Sequence, residues 1–179
     1  QIAEQYFKLK EDPRLRITHE DGRTFLRSSE PAKYDAILMD AFGSLFSVPY
    51  QLTTVEAVRE MRRNLRDDGV VIFNLGSSIE GPASQFLHSE LATYRTVFPN
   101  VYLFKVNAVY PDERLQNLMI VATVSPEPLR SESNDPEIAS LLSHVYSIEP
   151  GPDAVMITDD LAPVEYYNAI AQNIFLAAK

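Results

Sequence analysis

The order of apolar segments predicts an α/β domain, a doubly wound, mostly parallel sheet with an antiparallel hairpin at one edge. Three observations carry this. Strand-like and helix-like segments alternate from residue 15 to about residue 98. The run 70–75 is continuous, apolar and β-branched, as a strand buried on both faces of a parallel sheet requires. The last two strand-like runs stand too close together for a crossover helix between them, so they should pair antiparallel. A chain of 179 residues can bury one core comfortably, and residues 1–179 are read as a single, partial domain.

Each element has its own signal. Residues 2–9 have helical character with no start signal before them, and residue 1 is Gln, so the chain is expected to begin inside a larger protein. Residues 15–19 make a short strand candidate, and residues 36–39, bounded by Asp35 and Asp40, make a second. Residues 54–65 place Val55, Val58, Met61 and Leu65 on one helical stripe, with Thr53 and Glu56 at capping-box spacing. Asp67, Asp68 and Gly69 form a turn before the 70–75 strand. A helix from about Ser84 carries Leu87, Leu91, Tyr94 and Phe98 toward the core and stops at Pro99 and Asn100. The hairpin strands are residues 101–106 and 117–123. A Pro-, Ser- and Glu-rich surface loop follows over 125–136, then helices near 136–146 and 164–178.

Composition narrows the function classes. The formal charge of −9 makes a poor surface for a polyanion, because nucleic-acid binders neutralise phosphates with Lys and Arg. Arg59, Arg62, Arg63 and Arg66 cluster, but their spacing fits the solvated outer face of a helix. There is no cysteine, hence no disulfide, thiol nucleophile or thiolate metal site. His19, His88 and His144 lack ligand spacing, and no metal is expected. No segment reaches the about 18 uninterrupted apolar residues of a membrane span, and the cytoplasm is the default location.

In sheets of this kind ligands bind outside the carboxyl ends of the strands. Small and polar residues stand there repeatedly: Glu20, Asp21 and Gly22, then Asp40, Ala41, Phe42 and Gly43, then Asn74 through Ser78. A carboxylate at a strand end accepts from amino or hydroxyl groups, and Gly lets the backbone approach a ligand. Asp21-Gly22 alone is more often a plain turn, and Asp40 could equally cap a helix.

The runs Asp21-Gly22-Arg23-Thr24-Phe25-Leu26, Tyr34 to Asp40, Leu52-Thr53-Thr54-Val55-Glu56 and Leu65 to Val71 occur in an order and spacing that resemble the polyamine aminopropyltransferases, the spermidine synthase family. The resemblance covers roughly residues 1 to 124. Tyr110-Pro111 looks like that family's amine-pocket Tyr-Pro. Thr158-Asp159-Asp160 with Ala162-Pro163-Val164-Glu165 looks like the ending of its divergent, often membrane-fused, branch.

The resemblance implies a Rossmann-like fold of the S-adenosylmethionine-dependent methyltransferase type. It implies decarboxylated S-adenosylmethionine as co-substrate and transfer of its aminopropyl group to an amine such as putrescine. Asp21 would accept from the adenine amino group with Gly22 against the ring. Pro49 and Leu52 would line the adenine pocket, beside Ala41. Asp40 would hold and deprotonate the attacking amine or bind the co-substrate's own amine, and Tyr110 would position the amine chain. A homodimer and a membrane-anchored parent protein are further implications.

Three departures qualify the likeness. The family's glycine-rich loop and ribose-gripping carboxylate would both lie upstream of Gln1. The residue three after the catalytic Asp, commonly a second Asp, is Gly43. The Ser-Gly that commonly follows Tyr-Pro is Asp112-Glu113. A methyltransferase using S-adenosylmethionine, and a degenerate domain kept for assembly, therefore remain alternatives.

Overall fold

The computed structural model describes residues 2–10, 12–43, 47–130 and 132–177. Its centre is a five-stranded sheet of β1 (Tyr34–Met39), β2 (Leu65–Ser77), β3 (Asn100–Lys105), β4 (Gln116–Thr123) and β5 (Val145–Tyr146), in the order β1-β2-β4-β3-β5. Only β1 and β2 pair in parallel among the described residues; β2 with β4, β4 with β3 and β3 with β5 are antiparallel. The sheet is thus mixed, not mostly parallel. The expected antiparallel hairpin is present as β3 and β4. Its strand β4 inserts beside β2, so most of the ladder is antiparallel.

The helices are α1 (Ile2–Phe7), α2 (Gly22–Ser28), α3 (Val55–Asn64), α4 (Gln85–Arg95), α5 (Pro136–Leu142) and α6 (Val164–Ala177). The core is a single layer between the sheet and α3 and α4. Val71, Phe73 and Leu75 of β2 and Leu118, Ile120 and Ala122 of β4 are buried there with Val58, Met61, Leu87 and Leu91. Phe73, Tyr94 and Phe98 form a row of near-parallel rings with centroids 6.1 Å apart at each step. Such pairs add about 0.5–1.5 kcal/mol each beyond their area burial. The alternate residues Val70, Ile72 and Asn74 are only half-buried. The 70–75 strand is therefore buried on one face, not two, because no described helix packs closely on the other.

Several local expectations are corrected. Residues 15–19 form no strand: the segment is exposed and pairs with nothing, and a strand exists only through its ladder. The cap of α3 is Thr54, not Thr53. Thr54 Oγ1 accepts from the Ala57 N–H at 3.3 Å, while the Thr53 hydroxyl turns back to the Tyr50 carbonyl. The Asp67-Asp68-Gly69 turn is an excursion within β2, since four residues, 66–69, lie opposite Asp35 alone in the register with β1. The helix expected over 136–146 ends at Leu142, and Val145–Tyr146 instead adds the edge strand β5 against Leu103 and Phe104. No helix is long and apolar enough to cross a membrane among the described residues.

Candidate active site

The parallel pair β1/β2 places Asp40 and Asn74 side by side. Met39 is in register with Phe73, so the next residue of each strand emerges at the same sheet edge. Asn74 Nδ2 donates to Asp40 Oδ1 at 2.9 Å. Asp40 caps no helix here; its carboxylate is exposed beyond the strand and aimed by an amide. The Asn74 Oδ1 is buried with no donor among the described residues, so the amide is committed to this orientation by Asp40 alone.

Asp40 stands on the rim of a cleft of about 480 Å³ lined by Gly22, Phe25, Leu26, Ala36 to Ala41, Leu52 and Met61. That volume is in the range of small-molecule sites, and the walls are mainly apolar. The cleft is set by α2. Asp21 is the N-cap of that helix, its Oδ1 accepting from the Thr24 N–H at 2.9 Å, which holds its carboxyl below the usual carboxylate range. Gly22 follows at the first helical position. A Cβ there would meet the Leu52 methyl groups at 3.4 and 3.5 Å, so Gly22 and Leu52 pack directly against each other and together form one wall of the cleft.

Both ends of α2 are tied down. At its C-terminal end the Arg63 guanidinium donates to the carbonyls of Leu26, Arg27 and Ser29, and Asn64 Nδ2 donates to Leu26 at 2.7 Å. These contacts satisfy carbonyls that a helix end leaves without partners. Arg59 and Arg62 are solvated, as the arginine spacing predicts, and Arg66 pairs with Asp35; Arg63 is instead a helix cap. At the start of α2, Arg23 is buried and reaches the Gln51 carbonyl at 2.9 Å and Thr54 Oγ1 at 3.0 Å.

Of the sequence-predicted site residues, Gly22, Asp40, Ala41 and Leu52 come together in the cleft, with Asp21 at its edge. Pro49 does not line it. Its carbonyl accepts the Leu52 N–H at 2.9 Å, so it shapes the turn that presents Leu52. Tyr110 is likewise outside the cleft, on the β3–β4 connection, with the Arg114 guanidinium 3.8 Å over its ring. The Gly43 N–H donates to the Ser47 carbonyl at 2.7 Å. A side chain there would meet only ordinary contacts, so the backbone does not demand glycine. Phe25, Leu26 and Met61 line the cleft without having been given a site role from the sequence, and Asn74, though at a strand end, had no stated role beside Asp40. Asn74 was legible as a polar residue closing an apolar run; Met61 was visible only as core.

The Tyr110 loop has its own anchor. Lys105 Nζ donates to the Tyr110 carbonyl at 2.6 Å and to Asp112 Oδ1 at 2.8 Å, and the Tyr146 hydroxyl donates to Asp112 Oδ2 at 2.5 Å. Asp112 is thus a tie between β3, the loop and β5. Lys105 first, then Tyr146, holds its carboxyl below the usual range, and the Tyr146 hydroxyl is pushed up to about 12. Because the folded carboxyl titrates below the unfolded one, the stability it contributes is present above the ordinary carboxylate range and is lost as pH falls toward the folded value. Asp112→Asn should flatten that acid-side loss, read from denaturation midpoints at about pH 5 and about pH 3. An unchanged slope would remove Asp112 from the acid response.

The segment 2–128 matches the family model described as the spermine/spermidine synthase domain. A polyamine aminopropyltransferase of Vibrio vulnificus is 35% identical over 108 residues, covering 59% of this chain and 34% of the relative. An N-terminal histidine N-methyltransferase of Emericella nidulans is 32% identical over 130 residues, covering 69% of this chain and 22% of the relative. The crystal structure of a probable spermidine synthase from Corynebacterium glutamicum superposes with a TM-score of 0.64 at 26% identity, over 78% of this chain and 48% of that one. The chain spans about a third of the Vibrio relative and about half of the Corynebacterium protein.

Proposed function

The chain belongs to the spermine/spermidine synthase domain family, and on that premise we propose that it carries the amine-handling half of an aminopropyltransferase site. The observation that supports this most directly is the Asp40 carboxylate, aimed by Asn74 and standing on the rim of the Gly22–Leu52 cleft. The co-substrate is decarboxylated S-adenosylmethionine and the acceptor a small amine such as putrescine. The adenine ring would lie in the cleft against the wall that Gly22 and Leu52 form, with Asp21 beside its amino group and Pro49 and Ala41 shaping the rest. An ammonium has no lone pair to attack with, and Asp40 orients it and takes its proton. The amine nitrogen then bonds to the aminopropyl carbon next to the sulfonium. The C–S bond breaks with its electrons to sulfur, and a neutral thioether leaves. Tyr110, whose carbonyl Lys105 holds, would meet the outer part of a longer amine chain.

Methyl transfer is the second reading, favoured by the similarity to the Emericella methyltransferase. The two differ in what Asp40 tolerates. S-adenosylmethionine carries an α-carboxylate that the decarboxylated form lacks, and a carboxylate brought near Asp40 is repelled. Calorimetry on the whole protein with both compounds separates the readings. Preference for the decarboxylated form by at least about tenfold is expected. Preference for S-adenosylmethionine would overturn the aminopropyl reading.

A further inference from the structure

The Thr158-Asp159-Asp160 motif lies outside the matched segment 2–128, yet its second residue reaches the α2 anchor. Thr158 and Leu161 exchange backbone hydrogen bonds across a tight turn, at 3.0 and 3.1 Å, which presents Asp159 at the tip. The turn is seated on α3. The Val55 N–H donates to the Ile157 carbonyl at 2.8 Å, and the Asp159 N–H donates to Glu56 Oε2 at 3.0 Å. On the other side α4 holds the approach to the turn, with Ser89 Oγ accepting from the Val155 N–H and Thr93 Oγ1 from the Ile157 N–H. The Asp159 carboxylate then takes the Thr54 hydroxyl at 2.7 Å on one oxygen and the Arg23 guanidinium at 3.2 Å on the other.

Arg23 is the residue after Gly22, and its side chain is only 8% exposed. A buried guanidinium needs a counter-charge. Asp159 is the carboxylate it pairs with, and Arg23 also grips the Gln51 carbonyl next to Leu52. One charge therefore fixes how α2 meets the turn Tyr50–Leu52, and with it the wall that Gly22 and Leu52 present to the cleft. We propose that Asp159 is a positioning residue for the nucleoside end of the site: through Arg23 and Thr54 it sets the Gly22–Leu52 wall of the cleft against which the co-substrate's adenine lies. The role rests on the aminopropyltransferase reading for its substrate, and not for its geometry.

Asp159→Asn keeps an oxygen for the Thr54 hydroxyl and removes the charge from Arg23, so the fold survives to be tested. In the whole protein the KM for decarboxylated S-adenosylmethionine should rise about tenfold, with kcat and the amine KM within about twofold. A drop in melting temperature with an unchanged nucleoside KM, or equal rises in both KM values, would overturn the role. Hydrogen exchange on this chain is the second arm. The α2 amides should exchange faster in Asp159→Asn while those of α4 keep their protection; unchanged α2 exchange would overturn the positioning itself. If the whole protein transfers no aminopropyl group, the substrate reading fails alone, because the exchange experiment still decides the anchor.

Discussion

On the proposed aminopropyltransferase reading, Asp40→Asn in the whole protein should lower aminopropyl transfer by roughly 10²–10⁴-fold, the usual span for a positioned general base, and leave folding intact. The substitution is isosteric, and an amide oxygen can still accept from Asn74 Nδ2, so the partner that aims the side chain is kept. What is lost is the capacity to take a proton and to balance an ammonium. The check is turnover with decarboxylated S-adenosylmethionine and putrescine, alongside the far-ultraviolet spectrum and melting temperature of the variant. Turnover equal to the parent's would remove Asp40 from the chemistry and return Gly43's neighbourhood to the status of an ordinary loop. Asn74→Leu should fall between the two, because it leaves the carboxylate but not its orientation.

Glu90 carries the second large effect. It lies midway along α4, wholly buried, and neither carboxyl oxygen has a partner among the described residues. Burial pushes this carboxyl well above its ordinary value, and the same charge adds to burial in raising the Tyr94 hydroxyl. The folded protein therefore keeps a proton that the unfolded chain releases. Stability is complete below the ordinary carboxylate range and is given up as pH rises from there toward the folded value. Glu90→Leu replaces an unsatisfied acid by an apolar side chain of similar size. It should raise stability at neutral pH by about 1–3 kcal/mol and abolish the loss between acid and neutral pH. Urea denaturation of parent and variant at both ends of that range measures the two effects together. A stability difference between variant and parent that does not grow from the acid to the neutral end of the range would show that Glu90 is not a neutral, buried acid.

How much of this was legible in the sequence depends on the range of the interaction concerned. The apolar periods of 55–65 and 84–98 gave α3 and α4 correctly because a helix face is written in consecutive residues. Residues 15–19 have the same kind of local pattern, but a strand also needs a neighbour, and no local signal supplies one. The parallel bias failed for a related reason: the pattern of β2 is the same whether its partner runs with it or against it. At the site, Asp40, Gly22 and Leu52 could be named because they lie in ordered motifs. Asp112 could not be assigned, since its commitment to Lys105 and Tyr146 depends on β5, a two-residue strand hidden in what reads as a helix. Arg63 looked like one more solvated arginine until α2 placed three carbonyls in front of it.

The contact between Arg23 and Asp159 spans 136 residues of chain. The β1–α3–β2 segment, with the pairing of Asp40 and Asn74, lies within residues 34–77. The tie beside it, which holds Gly22 against Leu52, is different. Closing so long a loop costs entropy that only the assembled domain repays. During synthesis, then, the elements that carry Asp40 and Asn74 emerge well before Asp159 can pair with Arg23. The tie that holds α2 against Tyr50–Leu52 arrives only with the last turn before α6.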